Sequence, residues 1–112
     1  MSGAGGGGGP PDIGPEVTDC ASLTARTALN SPDPAVVKTL KKGSILSVEL
    51  RKPDKKVVVA VTEDGDIAGS ITYAGVARLA ACLTRGYKYV ALVVAVDGGD
   101  CRVEIRPEAS SA

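Results

Sequence analysis

The chain contains no histidine, no phenylalanine and no tryptophan. Without histidine, the commonest general base and the commonest metal ligand are both missing. The remaining Ser, Thr and Cys nucleophiles have no imidazole to activate them. Every lysine falls in a turn or on a polar strand face, where burial cannot make it a base. The chain is therefore not expected to be an enzyme. Aromatic residues reduce to Tyr73, Tyr87 and Tyr89, so the core must be built from Val, Ile, Leu and Ala. Such side chains pack well in sheets, but each buries less area than an aromatic ring.

An excess of either charge is also missing, since 13 basic residues balance 13 acidic ones. That argues against a surface devoted wholly to nucleic acid or to anionic membrane, and leaves room for a local basic patch. The longest apolar run, Tyr89 to Val96, falls far short of the ~20 residues a spanning helix needs, so no membrane contact is expected. Met1 to Pro11 has neither the basic nor the apolar region of a signal peptide. Cysteine is sparse and odd in number. Cys20, Cys82 and Cys101 form no C-x-x-C pair, which sets aside zinc and redox motifs. Cys82 in a helix and Cys101 in a strand read as ordinary buried thiols, and a reducing, cytoplasmic compartment is the expectation that follows.

A length of 112 residues supports one domain. Residues 1–16 are rich in Gly and Pro and read as a flexible tail. Residues 17–107 form the expected α+β domain, and 108–112 a frayed end. Cys20 to Leu29 suits an edge strand. Asn30 to Pro34 is a breaker in which Asp33 caps a short helix over about 34–41, closed by Gly43. Ser44 to Arg51 is a strand with Leu46, Val48 and Leu50 on one face. Val57 to Thr62 is almost continuously apolar, so both its faces are expected to be covered. Asp64-Gly65 predicts a type I′ hairpin, and Gly69 a bulge or close approach in the return strand.

The helix over about 73–85 carries the clearest period. Val76, Leu79, Ala80 and Leu83 share one face, Thr72 or Ser70 is its expected cap, and Gly86 its expected end. Tyr87 to Val96 is the most β-prone run. It pairs across Asp97 to Asp100 with Cys101 to Arg106, where Cys101, Val103 and Ile105 face inward. Five or six short, mostly antiparallel strands with one main and one short helix predict a small β-barrel.

Candidate chemistry is thin. The acidic turns Glu63 to Asp66 and Asp97 to Asp100 lack the ligand spacing of a calcium loop. Gly98-Gly99 opens no helix, so it is not a phosphate cradle. No metal and no cofactor are expected. What stands out is charge segregation. Lys41, Lys42, Arg51, Lys52, Lys55 and Lys56 form one basic ridge if the short helix and the charged turn meet, and Arg85 and Lys88 extend it. Tyr87 and Tyr89, two apart on a strand, are expected on one face beside it. Bases stack on such rings while Lys and Arg meet phosphates, which describes a platform for single-stranded nucleic acid. The competing reading is a solvated rim with tyrosines filling the edge of the core.

The run V-V-V-A-V-T-E-D-G-D-I-A-G-S-I-T, the helix A-R-L-A-A-C-L and the strand G-Y-K-Y-V-A-L-V resemble the second half of a HIRAN domain. The likeness spans roughly Gly43 to Val96. Of that family's asparagine-proline-tyrosine-aspartate stretch, Pro53-Asp54 alone remains here. HIRAN domains are small β-barrels found with helicases and nucleases or alone in bacteria, and some bind single-stranded DNA ends. The resemblance thus implies a DNA-end binding module, with Arg51, Lys52 and the tyrosines as contacts. The partner expected is single-stranded DNA or, alternatively, another protein engaged through the edge of the first strand.

Overall fold

The computed structural model describes residues 19–51 and 57–108. The expected tail over 1–16, the charged turn with Lys52, Lys55 and Lys56, and residues 109–112 lie outside the described residues. A 3-10 turn, Asp19–Ser22, opens the described chain. The elements that follow are β1 (Ala25–Ala28), α1 (Pro34–Val37), β2 (Ile45–Arg51), β3 (Val57–Val61), β4 (Ile67–Ile71), α2 (Val76–Thr84), β5 (Tyr89–Asp97) and β6 (Asp100–Pro107). Among the described residues the strands form one sheet in the order β1-β6-β5-β2-β3-β4, antiparallel at every pairing.

This sheet curls into a half-barrel with two helices. Its outer strands meet at a single bridge, where Asn30 and Ser70 each donate a backbone N–H to the other's carbonyl, at 2.8 and 2.9 Å. Gly69 makes the approach possible. A Cβ built on it would stand 2.9 Å from the Leu29 Cβ and 3.2 Å from the Asn30 carbonyl oxygen. Close approach is thus the role of this glycine, as its place within an apolar strand suggested.

The core is aliphatic, as the lack of aromatics required: Tyr89 is the one aromatic side chain buried in it. One-sided burial appears where the alternation placed it. Cys101, Val103 and Ile105 are fully buried, and Leu46 and Val48 line the same interior. Val58 to Val61 are buried without alternation, so both faces of β3 are covered. In α2 the expected face holds, with Leu79 and Ala80 buried and Val76 and Leu83 packed at its margin.

Several local expectations change. α2 starts at Val76, after Gly75, and no side chain caps it; neither Thr72 nor Ser70 takes that role. Ser70 is instead held in the bridge, with its hydroxyl on the Asn30 carbonyl. α1 has the expected Asp33 cap, whose Oδ1 accepts the Ala35 N–H at 3.0 Å, but it ends at Val37. Thr39 and Leu40 donate to carbonyls three residues back, so the chain tightens and leaves the helix. The Asp64-Gly65 loop is not type I′, because Gly65 alone in it has positive φ. Gly65 N–H meets the Thr62 carbonyl, and Thr62 N–H meets the Asp66 carbonyl. This is the three-residue loop with a left-handed glycine at its end.

Candidate functional site

Strand pairing divides the expected basic ridge. Lys41 and Lys42 precede β2, where Gly43 N–H meets the Val93 carbonyl. Arg51 ends β2, six residue steps beyond its first residue Ile45, or about 20 Å at the rise of a strand. The two groups are therefore at opposite ends of β2. Lys41 and Lys42 do not join Arg51, although few residues separate them in the chain.

Arg85, Tyr87 and Lys88 gather at the Arg51 end instead. β2 runs antiparallel to β5, with Ser47 opposite Val90, so its last residues head toward the start of β5. Pairing of the two strands stops there. Beyond Ser47, β2 continues with β3 alone, and a cleft of about 370 Å³ lies between Ser47, Val48 and Glu49 on one side and Lys88, Tyr89 and Val90 on the other. A second cleft of about 490 Å³ is bounded by Ala21, Gly86, Tyr87, Lys88, Pro107 and Glu108. Lys88 and Glu108 border both clefts, and the Glu108 N–H donates to the Lys88 carbonyl.

The end of α2 sets the positions of these side chains. Gly86 has φ of +99°, Gly86 N–H meets the Leu83 carbonyl, and Tyr87 N–H meets the Cys82 carbonyl. This reciprocal pair of bonds ends the helix in a Schellman motif and sends the chain sharply toward β5. Arg85 stands at the C-cap, where a cation also suits the negative end of the helix dipole. Tyr87 precedes β5 and is 40% exposed.

Tyr89 departs from its expected role. It is 2% exposed, so its ring is not available for stacking, and it does not share an open face with Tyr87. Its hydroxyl donates to the Cys20 carbonyl at 2.5 Å. Burial, and then the neighbouring Tyr87 and Tyr73 hydroxyls, hold this phenol above its usual range and keep it a donor. Its place in β5 follows from pleat parity, because Tyr89, Ala91 and Val93 alternate inward.

Cys101 is the buried thiol its strand position suggests, but Cys82 is not a free one. Cys20 and Cys82 are joined in a disulfide across 62 residues of chain, and Cys101 alone remains a buried thiol, pushed up by burial and then by Asp100. The expectation of a reducing compartment rests on unpaired cysteines, and pairing of two of the three removes that premise. Wide spacing carries no pairing signal, because the partners meet only after the first turn packs on α2. Among the described residues, no helix is long and apolar enough to cross a membrane.

Charge at the clefts is mixed: Lys88, Glu49 and Glu108 line them, while Arg51 and Arg85 stand outside both linings. Arg51 is paired at 2.9 Å with Glu49. Glu104 on β6 takes both Arg106 and, across the strand pair, Arg26. Lys88 and Arg85 have no salt-bridge partner among the described residues.

No protein-family model matches the chain, and no curated protein matches it. Among solved structures, it superposes on a Lactobacillus plantarum protein determined as a structural genomics target, with a TM-score of 0.59 at 16% identity. The alignment covers 76% of this chain and 97% of that one. At such identity the likeness concerns the fold alone.

Proposed function

We propose that the chain is a non-enzymatic binding module that takes single-stranded nucleic acid at the end of the half-barrel where β2 and β5 part. The observation that carries this reading is the meeting of two clefts at Lys88, with exposed Tyr87 and Arg85 beside it and Arg51 at the end of β2. The ring offers a stacking surface and the cations meet phosphates. Lys52, Lys55 and Lys56 follow Arg51 in the chain and add charge to the same segment. The likeness to HIRAN domains supports the same ligand.

The test is fluorescence anisotropy with a labelled oligothymidylate. Binding is expected at low salt, with log affinity falling against log salt at a slope of about −2 if three phosphates are neutralised. Arg85→Glu with Lys88→Glu should weaken binding at least tenfold, about 1.4 kcal/mol, while thermal stability holds. Absence of binding at low salt would refute the reading. A second reading, docking of another protein along β1, is favoured by the place of that strand at the end of the sheet order. A partner captured by the full chain, and lost when charged residues replace Ala25 and Ala28, would support it.

A further inference from the structure

The two half-cystines hold residues on both sides of Lys88, the backbone before it and the Tyr89 side chain after it. The Cys82 carbonyl accepts the N–H groups of Arg85 and Tyr87, each at 3.1 Å. The Cys20 carbonyl accepts the Tyr89 hydroxyl. Ala21, next to Cys20, forms one wall of the cleft that Tyr87 and Lys88 border. One covalent bond thus fastens the wall of the cleft to the helix end that presents its cation and its ring.

We propose that the Cys20–Cys82 pair is a redox latch on this cleft. When joined, it keeps the first turn against α2 and completes the cleft. When separated, it releases the Ala21 wall and the hydrogen bond that orients Tyr89. The control of ligand binding that follows rests on the reading under Proposed function. The turn is suited to release. It is a four-residue 3-10 turn outside the sheet, and the β1 ladder to β6 holds the chain from Ala25 onward.

The opening step is thiol–disulfide exchange with a dithiol reductant. One reductant thiolate attacks a half-cystine sulfur, the Cys20–Cys82 bond breaks, and a mixed disulfide forms. The second reductant thiolate then displaces the protein sulfur. Cys20 and Cys82 leave as thiols carrying two protons, and the dithiol is oxidised to its own disulfide. Both cysteines are buried, at 0% and 1% exposure, so attack awaits a lift of the turn. The step is therefore expected to be slow.

The test uses the full chain before and after dithiothreitol, with thiols counted by alkylation in denaturant. The count should rise from one to three. Limited trypsin digestion then reads the cleft without any ligand. Cleavage after Arg85 and Lys88 should quicken at least tenfold on reduction, while cleavage after Arg102 in β6 stays slow. Unchanged cleavage at Arg85 and Lys88 despite three thiols would overturn the latch. So would cleavage at Arg102 rising in step, which marks unfolding of the whole domain. Oligothymidylate anisotropy in both states forms a separate arm. With the latch seen by trypsin, a tenfold loss of affinity on reduction supports redox control of binding, and equal affinity in both states overturns that control. No binding in either state would overturn the nucleic-acid reading and leave the latch standing.

Discussion

At the seam, the β1 and β4 edges meet mainly through backbone, with the Ser70 hydroxyl adding one bond to the Asn30 carbonyl. Asn30 and Ser70 exchange two N–H···O bonds, Asp33 N–H reaches the Ala68 carbonyl, and Gly69 leaves the space for Leu29. At the cleft, the first turn meets α2 through side chains, by a disulfide and a tyrosine hydroxyl. Both join segments distant in the chain, but they fail differently. A seam made mainly of backbone bonds is broken by steric intrusion rather than by removing a side chain, since the Ser70 hydroxyl only supplements its backbone pairs. A side-chain fastening can be removed atom by atom with the backbone left in place. The seam therefore closes the fold, whereas the cleft fastening is open to control.

The largest effect should come from removing the covalent bond. Cys20→Ser with Cys82→Ser frees a loop of 62 residues in the unfolded chain. On the loop-entropy account this costs about 4 kcal/mol. For a domain of this size that is a fall of about 20 °C in Tm by calorimetry. A fall of less than about 5 °C would mean that the packing of Leu23 and Leu29 and the β1 ladder to β6 hold the segment without the disulfide, and would erase the distinction between the two fastenings.

Next comes intrusion at the seam. Gly69→Val would push a branched side chain into Leu29 and the Asn30 carbonyl, where even a Cβ stands at 2.9 Å. A loss of about 2 kcal/mol in urea unfolding is expected, the usual cost of overpacking. Val59 and Ala60 in β3 should then exchange their amide protons faster, since β4 must move away from β1. A loss below about 0.5 kcal/mol would show that the strands give way freely and that the bridge does not close the fold.

The same contrast explains what was legible in the sequence. Alternation along Cys101, Val103 and Ile105, and the face of Leu79 and Ala80, are local signals set by the pitch of one element, and the fold follows them. Gly69 was legible as a close approach because glycine within an apolar strand has few other uses. The Cys20–Cys82 pairing was not, because the meeting of the first turn with α2 depends on the whole topology. The basic ridge failed for the opposite reason. Lys42 and Arg51 are near in sequence, but β2 is extended and holds them apart. Tyr87 and Tyr89 differ by only two residues, yet a Schellman turn lies just before one and strand pleating governs the other, so one ring is open and the other closed.

The smallest effect concerns the polar outer face of β1 and β6, where neither a seam nor a covalent bond acts. The hydrogen bond from Arg106, aided by the one from Arg26, holds the Glu104 carboxyl below its ordinary range. The folded chain therefore binds this proton less readily than the unfolded chain, whose carboxyl titrates near the ordinary 4.5. The contribution is complete above that value and is lost as pH falls through the lower folded one. In Glu104→Gln the stability curve should be flatter through this acid range, and the mutant should match the parent most closely at the lowest pH. Because both arginine partners stand largely in solvent, the change should be small and should shrink in high salt. If the acid limb of the mutant superposes on that of the parent, these ion pairs contribute nothing, and β1 is held to β6 by its backbone ladder alone.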